Sequence, residues 1–170
     1  NSGGRATIRS RKGEKTAGHY GDVMATDACG IPFTTVVTVE LKRGYNRHTL
    51  HDLIDMVKMA KSEYHHWIEQ ARKARDTSGA LGWMVIVKRD HRDAIIFMPW
   101  HLADVLLAGV TNFPKPSVTL ELTDKEEDWL WCTKLEPLLK QMAPDRVRMV
   151  AARRKHELQG RLVESPCPAT

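Results

Sequence analysis

Three residues of this 170-residue chain have the types and spacing to do chemistry together: Asp22, Glu40 and Lys42. Glu40 and Lys42 stand two apart in FTTVVTVELK (33–42), a β-branched stretch closed by Gly44. That composition predicts a strand. Strand side chains alternate, so Val37, Val39 and Leu41 share one face, and Thr38, Glu40 and Lys42 share the other. At a rise of about 3.3 Å per residue, Glu40 and Lys42 lie about 7 Å apart. A carboxylate in such a segment is costly to bury unless it is paired or metal-bound. Upstream, YGDVMATDA (20–28) reads as a second short strand carrying Asp22. An antiparallel return through Gly30-Ile31-Pro32 then brings Asp22 close to Glu40.

Two carboxylates and a lysine suit hydrolysis of a phosphodiester. Asp22 and Glu40 would hold Mg²⁺, a hard cation that takes oxygen ligands and keeps several waters, and Mn²⁺ is a substitute. The backbone carbonyl of Leu41 is a natural further ligand. The metal polarises a phosphoryl oxygen and acidifies water. Lys42 holds the attacking water or stabilises charge on the phosphate. The bland rival is a structural ion pair at a sheet edge. An acid-x-Lys triplet carries little information alone, since about 1.5 are expected by chance at this composition. Its context is what raises it.

That context is GDV (21–23), VELKRG (39–44), the helix-like Trp67-Ile68-Glu69-Gln70-Ala71 and WMVIVKRDHRDAIIF (83–97). Together these resemble the PD-(D/E)xK nuclease superfamily, within it a phage- and prophage-borne group related to Holliday-junction resolvases and restriction endonucleases. The resemblance covers roughly residues 18–100. It implies a restriction-endonuclease-like α/β core: a central mixed sheet flanked by helices, here with extra C-terminal helices. It implies a metal-dependent endonuclease acting on DNA, including branched or recombination intermediates, in the cytoplasm of a bacterial or phage-infected cell. Asp22 and Glu40 match the metal-binding acids and Lys42 the catalytic lysine. Gln70 falls on the helix where relatives sometimes carry a polar active-site residue, and Lys88-Arg89 at a strand end that is often basic. A symmetric two-strand cut implies a homodimer. Many relatives supply another acid from a helix before the aspartate strand. No helical pattern precedes residue 20 here, so that helix is expected upstream of Asn1, with Glu14 as the weaker substitute.

The elements that must position these residues follow from periodicity. Leu50, Leu53, Ile54 and Val57 repeat at helical spacing, and a second helix spans 60–76 with Tyr64, Trp67, Ile68 and Ala71 on one side. GWMVIVKR (82–89) reads as a buried strand and AIIFM (94–98) as the next. A short helix is expected over 100–108 and a last strand over 118–122. From Thr123 the chain is acidic and then helical, opened by a Thr123/Glu126 capping box and interrupted at Pro137 and Pro144. The division is a basic arm over 1–19, the α/β core over 20–122, a helical extension over 123–160 and a disordered tail over 161–170.

Net charge is +5, with 26 Lys+Arg against 21 Asp+Glu. That permits a polyanion without demanding one. The distribution says more. Arg5, Arg9, Arg11, Lys12 and Lys15 crowd the arm, and Arg43, Arg47, Lys88 and Arg89 fall near the chemistry. Arg9, Arg11, Lys12, Arg43, Arg47, Lys88 and Arg89 are the expected phosphate contacts, sequence-independent and salt-sensitive. No apolar run approaches the roughly 18–20 residues of a membrane span. Cys29, Cys132 and Cys167 are odd in number and contain no CxxC pair, which points to free thiols rather than a disulfide framework or a zinc site. His48, His51, His65 and His66 read as solvated helix residues. The rival from another class is a non-cleaving nucleic-acid-binding module with an incomplete metal site. A weaker one is an interaction protein using the acidic 121–128 segment and the C-terminal helices.

Overall fold

The computed structural model describes residues 20–44, 63–110, 116–121 and 129–163. The basic arm, the helix expected around Leu50–Val57 and the acidic stretch after Glu121 lie outside the described residues. The chain is α/β: α1 (Ile31–Val36), β1 (Val37–Arg43), α2 (Glu63–Ser78), β2 (Gly82–Lys88), β3 (Ile95–Pro99), α3 (Trp100–Leu107), β4 (Val118–Glu121), β5 (Trp129–Lys134), α4 (Leu135–Gln141) and α5 (Pro144–Val163). The strands form one open mixed sheet in the order β1-β2-β3-β5-β4. Only β1 and β2 run parallel, as the α2 crossover between them requires.

Three expectations are corrected. Residues 20–28 are irregular rather than a strand, yet they still run along the outer edge of β1, where the Asp22 N–H donates to Val39 O at 2.7 Å. The first four residues of FTTVVTVELK are helix, not strand. Pro32 stands in its first turn, where no amide donor is missed. The Thr34 and Thr35 hydroxyls donate back to Ile31 O at 3.2 and 2.8 Å, side-chain bonds to the backbone of their own turn. Third, Trp129–Lys134 is a strand inside the stretch expected to be helical. It sits between β3 and β4, so the sheet cannot be completed without the C-terminal third. Period two puts Trp129 and Trp131 on the same face. Trp131 is fully buried while Trp129, at the strand end, is exposed. In addition, α5 continues to Val163, three residues into the expected tail.

The sheet is apolar on both faces. Val37, Val39, Met84, Ile96, Met98 and Trp131 pack with residues of α3 and α5. Trp83, Val85, Val87, Phe97, Leu130 and Cys132 pack with Tyr64, Trp67, Ile68 and Ala71 of α2. Burial on both faces explains why β2 reads as a continuous apolar run. Burial also pushes the Cys132 thiol up to about 12, which makes it inert. Among the described residues no helix is long and apolar enough to cross a membrane.

Candidate active site

Alternation along β1 places Thr38, Glu40 and Lys42 on the α2 side of the sheet. Thr38 and Glu40 are 2% and 3% exposed, so the α2 layer covers a carboxylate. Glu40 is not left alone there. Lys42 Nζ donates to Glu40 Oε2 at 3.1 Å and to Gln70 Oε1, on α2, at 3.0 Å. The lysine side chain is 11% exposed and its partner 4%, so this is a shielded pair rather than a surface one.

Asp22 arrives from the opposite side. Its Oδ2 accepts the Leu41 N–H at 2.9 Å, and its own N–H donates to Val39 O. These two bonds clip the 20–23 segment to the edge of β1. N–H and C=O of one strand residue point to the same side, so the Leu41 carbonyl also faces this edge, beside Asp22. Glu40's carboxyl is held above the ordinary glutamate range. Burial is the largest cause, and the negative charge of the Asp22 carboxylate is the next. Lys42 pulls the other way through its hydrogen bond and its charge.

The structure therefore brings together all four residues expected to carry chemistry: Asp22, Glu40, Lys42 and Gln70. Two carboxylates meeting at a strand edge beside a backbone carbonyl fit a hard divalent cation, which would relieve their mutual repulsion. No group of three or more His, Cys, Asp or Glu suited to a metal occurs among the described residues. A cation that keeps most of its waters does not require one.

Of the expected phosphate contacts, Arg43 and Lys88 are register partners at the carboxyl ends of β1 and β2, and both are exposed. Arg89 follows directly and is half-buried. Arg9, Arg11, Lys12 and Arg47 lie outside the described residues. His65, half-buried on α2, is held below its usual range mainly by burial.

One functional residue was missed by sequence reasoning. Gly21 has φ +80, and a Cβ built there would lie 2.6 Å from Val39 O and 3.1 Å from Val39 N. Only glycine lets the backbone before Asp22 come this close to β1. The available signal was its place immediately before the acid. Comparison of the chain with family models, curated proteins and solved structures gives no match.

Proposed function

We propose that the protein is a Mg²⁺-dependent endonuclease that hydrolyses DNA phosphodiester bonds, on a restriction-endonuclease-like core of the PD-(D/E)xK kind. The observation that carries this reading is the convergence of Asp22, Glu40, Lys42 and Gln70 from three separate segments. A stabilising surface ion pair would need neither the second carboxylate nor burial.

In this reading Asp22 and Glu40, with the Leu41 carbonyl, hold the ion, which when bound supplies Lewis-acid polarisation of a phosphoryl oxygen and acidifies water. Lys42 places its ammonium beside that position, where it orients water and offsets charge growing on the phosphate. Gln70 accepts one Lys42 proton and so fixes the direction of the other two donors. Gln70→Ala leaves the Glu40 contact but removes this second anchor. Its expected result is an approximately tenfold fall in cleavage rate with unchanged DNA affinity, read from single-turnover cleavage and fluorescence anisotropy. Mn²⁺ substitutes for Mg²⁺. A substrate with two-fold symmetry, such as a four-way junction, calls for two sites and hence a homodimer.

The test is incubation with supercoiled plasmid and with a four-way junction, in Mg²⁺ or EDTA. Cleavage that EDTA abolishes and that Lys42→Ala slows by about a hundredfold or more (~3 kcal/mol) supports the enzyme. The second reading is a non-cleaving nucleic-acid-binding module. The observation that favours it is that the described residues bring only two carboxylates together. Tight binding of either DNA with no cleavage in Mg²⁺ or Mn²⁺ selects it.

A further inference from the structure

A groove lies away from the carboxylates. It is a cavity of about 670 Å³ between the β2–β3 turn and α4, and its walls carry Lys88, Lys134 and Lys140. The sheet topology connects it to the candidate site. β1 and β2 are parallel with Arg43 opposite Lys88. β3 is antiparallel to both β2 and β5, and Ile95 is opposite Lys134. The carboxyl ends of β1, β2 and β5 therefore share one end of the sheet, the end at which Lys42 stands. At about 4.8 Å per strand, β5 lies roughly 14 Å from β1 along that end. That distance is comparable to the roughly 12 Å width of the B-DNA major groove.

The charge at this end is lopsided. Among the described residues of these strand ends and the turns and helix that follow β2 and β5, Arg43, Lys88, Arg89, Arg92, Lys134 and Lys140 stand with Asp90, Asp93 and Glu136. Two of the groove lysines are tied to these acids, Lys134 to Asp93 at 2.8 Å and Lys140 to Glu136 at 2.7 Å. All four partners are at least 60% exposed. Exposed pairs of this kind contribute little, about 0–1 kcal/mol, so a phosphate can displace the carboxylate. Lys88 donates to the Arg92 carbonyl across the turn, an uncharged partner, and feels the Asp93 carboxylate only through its charge.

We infer that this groove holds the sugar–phosphate backbone of duplex DNA flanking the bond cut at β1, with Lys88, Lys134 and Lys140 on phosphates and Leu139 against the sugars. This rests on the nuclease reading for the identity of the bond cut, but not for binding. Leu139, half exposed on the groove wall, offers apolar area to a deoxyribose face.

The experiment is duplex binding by fluorescence anisotropy in EDTA across a salt series, with the intact chain. Three phosphate contacts contribute about 2.7 to the slope of log affinity on log salt, and two to three orders of magnitude in affinity near 0.1 M salt. Lys88→Ala/Lys134→Ala/Lys140→Ala is expected to lose that much slope and affinity, while Lys155→Ala, on α5, loses neither. Asp93→Asn/Glu136→Gln frees two lysines and is expected to tighten binding severalfold, a gain that misfolding does not produce. A triple variant with wild-type slope and affinity overturns the groove, as does a wild type that does not bind duplex at all. Groove-dependent binding without cleavage supports the groove and removes the nuclease. Cleavage that the triple variant retains at wild-type rate and affinity does the reverse.

Discussion

If the proposed nuclease reading holds, Glu40→Gln protein is expected to leave intact the supercoiled plasmid that wild type nicks in Mg²⁺, a loss of at least about a thousandfold (~4 kcal/mol). The amide keeps the size of the side chain and still accepts from Lys42, so the lost feature is the charge that would bind the proposed cation. Stability moves the other way. Burial and the Asp22 carboxylate hold the Glu40 carboxyl above its ordinary value of 4.5. Between that value and the raised one, the folded chain keeps a proton that the unfolded chain has released. The folded state then binds more protons, so stability of the metal-free protein falls as pH rises through this window. Glu40→Gln removes that loss. Its melting temperature relative to wild type is therefore expected to improve as pH rises, with no such trend below 4.5. In the proposed site Mg²⁺ would act on the same carboxylate. At a hundred times its dissociation constant it stabilises wild type by about 2.7 kcal/mol, increasingly as the proton leaves, and does not stabilise Glu40→Gln. Melting curves over a pH series, with and without Mg²⁺, check both trends. A wild type whose melting temperature ignores Mg²⁺ at every pH removes the metal from the site.

The strand carrying Glu40 and Lys42 could be read from its β-branched composition, because alternation fixes which side chains share a face. The apolar run of β2 and the α2 pattern through Trp67, Ile68 and Ala71 were legible for the same reason: burial writes a period into the sequence. Gln70 carried no periodic signal, being on the exposed side of α2, and entered only through the family resemblance. What failed was local chemistry in conflict with propensity. Thr34 and Thr35 look like strand residues, but a proline in the first turn and hydroxyls bonding back to Ile31 sustain a short helix. At Trp129–Lys134 an acidic, capping-box-like approach masked a six-residue strand buried by long-range pairing with β3 and β4. Lys134 was hidden with it, at the same end of the sheet as Arg43 and Lys88.

Gly21→Ala is expected to disable the site without touching any group that does chemistry. The residue has φ +80, where a Cβ costs about 1–2 kcal/mol in any surroundings. Here the added carbon also meets the Val39 carbonyl oxygen at 2.6 Å, and that oxygen belongs to a β1 backbone fixed by pairing with β2. The strand cannot give way, so the 20–23 segment must. Its movement breaks the bond from the Asp22 N–H to Val39 O and withdraws the Asp22 carboxylate from the Leu41 N–H. Glu40 is then left without its partner acid, and cation binding fails along with cleavage, which drops by about a hundredfold or more. Gly79 separates this effect from general strain. It has φ +72 and nothing within 4 Å of a built Cβ, and it lies beyond α2, away from Lys42. Gly79→Ala therefore costs about 1–2 kcal/mol of stability and leaves cleavage and Mg²⁺-dependent stabilisation at wild-type levels. Should Gly21→Ala also retain both, Asp22 is held by something other than its clip to β1, and its role as a metal ligand loses its structural basis.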